Sequence, residues 1–178
     1  MTREAQMPLV SDESASPDLR EQYTHVAAAM GRVPNLARVI AGSEKLFGPF
    51  LGLAGAIAMD GKLPMDLKEL AVMRTSELNG CVYCKGMHGP IMRSIGMDEK
   101  KIGAVTDRQI ASGIFSDKEL VVLNIADEMT EKISASPALV KKARGLLGDE
   151  ATMELLMTVA FYNLMNRLAE TSGVPLEE

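Results

Sequence analysis

The chain has 178 residues, of which 47% are apolar and 24% charged, and its net charge at pH 7 is −5. This length suffices for one domain with its own buried core and is short for two, so we expect a single domain over residues 1–178. The basic residues are scattered along an acidic chain, which excludes the positive surface that a phosphate backbone requires. We therefore expect no nucleic acid partner.

The N-terminal segment is polar and has no basic region followed by an apolar run, so it does not resemble a secretory signal. Residues 1–16, with Pro8, are predicted to form an extended arm. The longest apolar stretch runs from Leu46 to Met59, includes Pro49, and is shorter than the roughly 20 residues that span a bilayer. We expect a cytoplasmic protein without membrane contact and interpret this stretch as a buried helix.

Several long stretches repeat apolar residues with a period of about 3.6, and few alternate over the length of a strand, which predicts an all-α fold. Ser16 followed by Pro17 predicts the start of the first helix, and Asn35 is expected to cap the second. Gly80 ends one helix, and the capping box that begins at Ser116 starts another. The predicted helices cover residues 17–31, 35–41, 44–59, 65–78, 81–95 and 117–133, a helix that opens at 137, and residues 149–171.

Cys81 and Cys84 are the only cysteines of the chain, and His88, one of its two histidines, follows four residues later. Because Gly80 ends the preceding helix, we expect the dithiol at the N-terminus of the next one. Positions 81, 84 and 88 share one helix face, so both sulfurs and the imidazole can meet. A helix N-terminus or a nearby imidazolium lowers the pKa of a thiol from its usual value of about 8.5. Two thiols beside an imidazole predict thiol redox chemistry, in which one thiolate attacks an electrophile and the second thiol resolves the adduct.

The residues alone leave the identity of the attacking sulfur open. The helix dipole acts most strongly on Cys81, whereas His88 lies one turn beyond Cys84 and can exchange a proton with it. Side chains three apart on a regular helix keep their Cβ atoms about 5–6 Å apart, while a disulfide needs about 3.5–4.5 Å. We therefore expect the first turn of this helix to depart from regular geometry.

Two other interpretations of the motif remain open. Two cysteines three apart can simply be small apolar residues in a core. Cys81, Cys84 and His88 can also supply three zinc ligands, with His25 or a carboxylate as the fourth, although the sequence lacks the second ligand pair typical of structural zinc. Covalent haem attachment is excluded, because Lys85 and not a histidine follows the second cysteine.

The stretch from Leu67 to Cys84, completed by His88, resembles the alkylhydroperoxidase D-like branch of the carboxymuconolactone decarboxylase family, and most closely its uncharacterised peroxidase-related subgroup. The pattern in that family is a glutamate, eleven further residues, CxxC, three residues and a histidine. This chain matches the pattern at every position, with Glu69, Cys81, Cys84 and His88. The match is specific over about residues 65–96. Elsewhere it rests on the glycine-rich apolar stretch upstream and on residues 161–163 and 166–169.

The resemblance implies that Cys84 reacts with the peroxide, that Cys81 resolves the product, and that Glu69 and His88 form a proton relay. It also implies a hydroperoxide substrate, a lipoyl or thioredoxin-like dithiol reductant, no metal or other cofactor, and a trimeric or hexameric homo-oligomer. The better studied peroxidases of the family carry a histidine immediately before the second cysteine, where this chain has Tyr83. A phenol has a pKa near 10 and cannot act as an imidazole does at pH 7, so Tyr83 bears on the efficiency of the relay and on the peroxidase rate.

Two further titratable residues have less defined roles. Glu77 is turned about 80° from Glu69 around the helix, so it either supports the site or is a plain surface charge. His25 lies beside an apolar stretch of the first helix. We interpret it as a packing histidine and not as a site residue.

The last helix carries Asn163, Asn166 and Arg167 in an otherwise apolar sequence. Buried amide and guanidinium groups need partners, so these residues lie at a subunit contact or line the active pocket, and we favour a structural role. Small residues at positions 48, 52 and 56 form a stripe along which helices can approach closely. This stripe favours a homo-oligomer.

Two other functions remain open for the same fold. The first is a decarboxylase or lactone-processing enzyme, in which proton transfer at carbon is the chemistry and the thiols are dispensable. The second is a non-enzymatic redox sensor or zinc-stabilised oligomer whose dithiol regulates assembly. Activity that survives the loss of both cysteines supports the first, and stoichiometric metal in the purified protein supports the second.

Overall fold

The structure, a computed structural model, describes residues 5–107, 110 and 113–177. Over these residues the chain forms helices and no β-strand, which confirms the predicted all-α fold. None of the helices in this part of the chain combines the length and the apolar character needed to cross a bilayer. The helices are α1 (Pro17–Met30), α2 (Asn35–Ile40), α3 (Glu44–Ala58), α4 (Met65–Leu78), α5 (Val82–Ser94), α6 (Glu99–Thr106), α7 (Asp117–Lys132), α8 (Pro137–Leu147) and α9 (Asp149–Ser172).

The chain divides into two compact units, with boundaries after Ala56 and after Arg167. The unit that contains α1 and α2 has a small core in which the rings of Tyr23 and Phe47 meet edge to face, with centroids 5.7 Å apart. The segment before α1 is tied to this unit, because the backbone N–H of Val10 donates to the carbonyl oxygen of Arg38 at 3.1 Å. Within the predicted arm of residues 1–16, residues 1–4 lie outside the described part of the chain, and residues 5–16 contain no helix or strand.

Two predictions for this unit are wrong. Asn35 is the first residue of α2 and not its cap, because Pro34 stands at the N-cap and the Asn35 amide donates instead to the carbonyl oxygen of Pro175 at 3.3 Å. His25 is exposed and does not pack. The buried stripe of α1 runs through Leu19, Tyr23 and Val26, and position 25 lies off that stripe.

The prediction that the apolar stretch from Leu46 to Met59 is a buried helix is also wrong. The stretch is helical as expected, but Phe47 is the one residue of α3 that is buried, and Leu46 is 60% exposed. A Cβ placed on Gly52 meets no atom within 4 Å. An apolar sequence favours burial of a helix, but a helix is buried only where other parts of the protein pack against it. Most residues of α3 have no such neighbours in the described part of this chain.

The second unit is built around α4, which packs against α5, α6 and, most extensively, α7. Residues 67–76 of α4 are all buried, although the run includes five polar side chains. Two of these polar groups find partners that are not part of the site described below. Lys68 Nζ donates to the carbonyl oxygen of Met59 at 2.8 Å, and the Arg74 guanidinium binds the Asp127 carboxylate with a shortest distance of 2.5 Å. Since a buried charge is tolerated only when it is paired, these contacts explain how a polar sequence forms a central helix.

The sequence did not predict α6. Its start is marked by Asp98, whose side chain accepts a hydrogen bond from the backbone N–H of Lys100 at 2.8 Å, and its buried residues include Ile102 and Val105. The helix has eight residues, which is too short for its periodicity to stand out. The N-cap aspartate, followed by Glu99, was the available signal.

Candidate active site

The turn between α4 and α5 places the dithiol. Gly80 adopts a φ of +67°, a left-handed conformation that ends α4 and that glycine adopts at little cost. The backbone N–H of Cys81 then donates to the carbonyl oxygen of Ser76 at 2.9 Å. This bond folds the chain back, so that Cys81 stands at the N-cap of α5 and Cys84 in its first turn.

The two sulfur atoms lie next to each other. Cys81 has an extended backbone (φ −72°, ψ 99°), and its Sγ accepts a hydrogen bond from the backbone N–H of Cys84 at 3.2 Å. The Sγ atoms are 2.6 Å apart. The first cysteine is thus outside the regular helix, which is the expected departure from helix geometry. Both residues are buried, but Cys84 is 3% exposed and Cys81 is 0% exposed.

Glu69 and His88 are in contact, as the resemblance to the family implies. Glu69 lies on the buried face of α4 and His88 lies one helical turn after Cys84 on α5. Glu69 Oε2 is 2.8 Å from His88 Nδ1. The structure therefore brings together all four predicted site residues, and their catalytic roles are taken up under the proposed function.

Tyr162 of α9 is a further residue of this site; the sequence included it in the family resemblance but assigned it no role. Its hydroxyl lies 3.0 Å from His88 Nε2, and the two rings meet edge to face with centroids 5.1 Å apart. Burial raises the pKa of Tyr162 well above its usual range, and the negative charges of Glu69 and Cys84 act in the same direction. The available signal was a tyrosine in an apolar helix, because a buried phenol needs a hydrogen-bond partner.

Glu77, whose role was open, pairs with a lysine at the start of α5. Its Oε2 is 3.0 Å from Lys85 Nζ. Glu69 is the carboxylate that binds the imidazole. Glu77 therefore belongs to an ion pair beside the motif.

A network of amide side chains holds the turn that precedes the dithiol. The side-chain amide of Asn79 donates to the Oδ1 atoms of Asn163 at 3.1 Å and Asn166 at 2.9 Å. Asn166 in turn donates to Ser76 Oγ at 3.1 Å. Arg167 is exposed and donates to the carbonyl oxygen and Oδ1 of Asn163, both at 2.7 Å. These bonds give the three polar residues of the last helix a positioning role behind the site, in line with the structural interpretation.

No group of three or more His, Cys, Asp or Glu side chains in the described ranges has the arrangement needed to hold a metal ion. His25, which the sequence offered as a fourth zinc ligand, lies on the exposed side of α1.

A model of the carboxymuconolactone decarboxylase family matches residues 44–128, a range that contains the dithiol, His88 and Glu69. Comparison with curated protein sequences gave no match. The family model thus covers the motif and just under half of the chain.

Solved structures share the fold over nearly the whole chain. An uncharacterized peroxidase-related protein from Silicibacter sp. TM1040 is 19% identical, with a TM-score of 0.80 over 96% of this chain and 90% of that one. An alkylhydroperoxidase AhpD core protein from Ralstonia eutropha JMP134, also uncharacterized and peroxidase-related, is 24% identical, with a TM-score of 0.80 over 98% and 93%. A debrominase in complex with 2,3,4-tribromopyrrole is 20% identical, with a TM-score of 0.80 over 98% and 94%. At these identities the likeness establishes a common fold.

Proposed function

We propose that this chain, whose residues 44–128 match a model of the carboxymuconolactone decarboxylase family, is a thiol-dependent peroxidase that reduces hydroperoxides through Cys81 and Cys84. The observation that carries the proposal is the position of two adjacent buried thiols beside a histidine that is bound to a buried carboxylate. An imidazole held by a carboxylate can take a proton from a thiol and return it to a leaving oxygen. A dithiol alone has no such proton acceptor.

In the proposed cycle, Cys84 loses its proton to His88, whose positive charge Glu69 stabilises. The thiolate attacks one oxygen of the hydroperoxide, the O–O bond breaks, and the departing oxygen takes the proton back to form an alcohol or water. Cys84 is then a sulfenic acid, and the Cys81 thiol displaces water from it to close a disulfide. A lipoyl or thioredoxin-like dithiol returns both cysteines to the reduced state.

The contacts of the two sulfurs support this division of roles. Cys84 retains slight exposure and lies one turn from His88, which suits the sulfur that meets the peroxide. Cys81 Sγ accepts the backbone N–H of Cys84 at the helix N-terminus, where the amide dipoles stabilise negative charge. When a reductant attacks the disulfide at Cys84, Cys81 is the thiolate that leaves, and its position stabilises that leaving charge.

Consumption of tert-butyl hydroperoxide in the presence of a dithiol reductant tests the proposal. We expect Cys84→Ser to abolish turnover and Cys81→Ser to allow one round that stops at the sulfenic acid, which mass spectrometry detects. Replacing His88 with alanine should lower the rate about 100-fold, as for loss of a general acid-base group, whereas His25→Ala, at the other histidine of the chain, should not. Unchanged turnover in Cys84→Ser would refute the proposal.

A debrominase is a second candidate, because a solved structure of the same fold is a debrominase. The same dithiol can reduce an aryl bromide: a thiolate takes the bromine, the ring carbon takes a proton, and the second thiol releases bromide as the disulfide closes. Bromide release from 2,3,4-tribromopyrrole without turnover of the hydroperoxide would favour this reaction. The decarboxylase or lactone alternative predicts activity in the Cys81→Ser, Cys84→Ser double variant, and the sensor or zinc alternative predicts bound metal or a redox-dependent oligomer without turnover.

We also infer that the protein is a homo-oligomer, with three or six copies as the family resemblance implies. The helix α9 carries exposed apolar side chains on one stripe, at Met153, Met157 and Leu164, and Met153 is 59% exposed. Their spacings of four and seven residues place them one and two turns apart. A continuous apolar stripe on a long helix is typical of a surface that another copy covers.

A further inference from the structure

His88 is bonded through both of its ring nitrogens. Glu69 Oε2 lies 2.8 Å from Nδ1, and the Tyr162 hydroxyl lies 3.0 Å from Nε2. A carboxylate only accepts hydrogen bonds, so Nδ1 carries the proton of the neutral imidazole and Nε2 offers its lone pair to the Tyr162 O–H. The one lone pair through which His88 can take a proton is therefore occupied by Tyr162.

Tyr162 is held in this position by its surroundings. Its ring stands edge to face with His88, at an interplanar angle of 83°, and with Phe161, at 81°. The raised pKa of Tyr162 keeps the phenol neutral at physiological pH, so the hydroxyl can donate one hydrogen bond and accept another. Cys84 lies one helical turn before His88 on α5, so its sulfur is on the same helix face as the imidazole that Tyr162 binds.

We propose that Tyr162 is a third member of the relay, and that the proton of Cys84 reaches His88 through the Tyr162 hydroxyl. A proton that passes from the sulfur to Nε2 must either displace Tyr162 or pass through its oxygen, and passage through the oxygen keeps the hydrogen bond between Tyr162 and His88 in place. The other charged groups at this end of α5, Lys85 and Glu77, are paired with each other. This inference rests on the proposed function for the reaction that the relay serves.

Each proton step in this scheme balances. The Cys84 proton moves to the Tyr162 oxygen while the Tyr162 proton moves to Nε2, which leaves a thiolate, a neutral phenol and an imidazolium paired with Glu69. The thiolate attacks the hydroperoxide, and the departing oxygen takes the phenol proton as the imidazolium returns its proton to the phenol. The sulfur is oxidised to a sulfenic acid, the hydroperoxide is reduced to an alcohol, and the relay regains its starting state.

Two measurements that need no peroxide test this relay. The first is the ¹⁵N NMR spectrum of the imidazoles, which is simple because the chain has two histidines. We expect a neutral His88 protonated on Nδ1, with an Nε2 resonance shifted by an accepted hydrogen bond, and we expect Tyr162→Phe to move that resonance to the position of a free lone pair. The second is the rate of Cys84 alkylation by iodoacetamide as a function of pH, measured in Cys81→Ser so that one thiol remains.

In the alkylation profile we expect Tyr162→Phe to lower the rate at pH 7 about tenfold and to move the rise in rate to higher pH, because the path from the thiol to Nε2 is broken. Tyr23→Phe is the matched control, since it removes a buried tyrosine hydroxyl from the other core, and it should leave both readouts unchanged. A free lone pair on Nε2 in the wild-type protein, or superimposable alkylation profiles, overturns the inference. If both readouts change but no hydroperoxide is consumed, the proposed function fails and the relay stands.

Discussion

Glu69 is a carboxylate on a helix that is buried on every side, and a charge in such a place persists because it is paired. His88 supplies the pairing group at 2.8 Å, and its own second nitrogen is bonded to Tyr162. Removing one member of a buried pair leaves the other uncompensated, which costs more than the pair contributes. At the scale of single residues, Glu69 is therefore stabilised by His88, and His88 is held in place by both Glu69 and Tyr162.

Glu69→Gln should lower the rate of hydroperoxide reduction about 100-fold, because an imidazolium formed on His88 no longer faces a negative charge. The measurement is the second-order rate constant of the reduced protein with tert-butyl hydroperoxide at pH 7. Glu77→Gln is the matched control. It breaks an ion pair with Lys85 near the motif but leaves the imidazole contacts in place, and it should change the rate less than about threefold. Equal losses in the two variants would show that general negative charge, and not the bond to His88, assists the thiol.

At the scale of elements, the C-terminal end of α7 contains backbone strain that a glycine would relieve. Ile133, the C-cap residue, has a φ of +72° and is 90% exposed. A β-branched residue is poorly suited to this conformation, which costs an L-residue roughly 1–2 kcal/mol and costs glycine little. The side chain has almost no burial to compensate for that cost.

Ile133→Gly should therefore raise the free energy of unfolding by about 1 kcal/mol, measured by urea denaturation. Ile95→Gly is the control at another helix C-cap, where φ is −84°. There glycine relieves no strain and adds unfolded-state entropy, so the variant should be less stable by about 0.5–1 kcal/mol. A loss of stability in both variants would contradict the strain at Ile133.

The turn between α3 and α4 is fixed by a carboxylate from a distant element. Glu154 of α9 accepts hydrogen bonds from the backbone N–H groups of Lys62 at 3.1 Å and Leu63 at 2.7 Å. These bonds to Leu63 and Lys62 hold the pKa of Glu154 below its usual range. Gly61 permits the approach, since a Cβ at that position would lie 2.6 Å from both carboxylate oxygens.

Because the pKa of Glu154 is lowered in the folded state, its contribution to stability is present above the unfolded pKa, near 4.5, and is lost as the pH falls below that value. Glu154→Gln should therefore destabilise the protein by about 1 kcal/mol at pH 7 and by less at pH 3.5, as measured by urea denaturation. Gly61→Ala should have a similar effect, since it displaces the same carboxylate. Glu150→Gln, at an exposed carboxylate of α9, is the control, and a pH-independent loss in Glu154→Gln would contradict the assignment.

At the scale of the whole molecule, the chain exposes apolar surface on two of its helices. The helix α3 is apolar in sequence and buries Phe47 alone, and α9 carries the stripe that includes Met153 and Met157. Burying such surface contributes about 25 cal/mol per Å², so leaving it in water is unfavourable when another copy can cover it. The exposed apolar surface of α3 and α9 therefore supports the proposed homo-oligomer.

Met157→Lys should dissociate the oligomer into smaller species, because it places a charge in an apolar contact. Size-exclusion chromatography with light scattering gives the mass directly, and we expect the wild-type protein to have three or six times the monomer mass. Glu150→Lys introduces the same side chain at an exposed site on the same helix and should leave the mass unchanged. A monomeric wild-type protein at tens of micromolar would contradict the proposed assembly.

Local signals made much of the fold predictable. The bounds of α4 match the prediction at both ends, and the capping box at Ser116 is found as expected, because turns and caps act over three or four residues. The same holds for the core of the site. Cys84 and His88 lie one helical turn apart, so helix geometry places them on one face, and Cys81 joins them from the N-cap of the same helix. The spacing to Glu69 added the neighbouring helix through the family pattern.

The features that the sequence did not determine depend on contacts between distant parts of the chain. Tyr162 is 74 residues from the histidine it binds, and Glu154 is 92 residues from Lys62 in the turn it fixes, so no local pattern identifies the partner of either residue. The sequence also did not determine which helices are buried. The apolar helix α3 is largely exposed, whereas residues 67–76 of α4, half of them polar, are buried. The sequence by itself determined most of the helices, with the exception of α6, and the order of chemical groups along them. The tertiary structure decided which groups share a site, because burial and pairing are properties of neighbours and not of the residue.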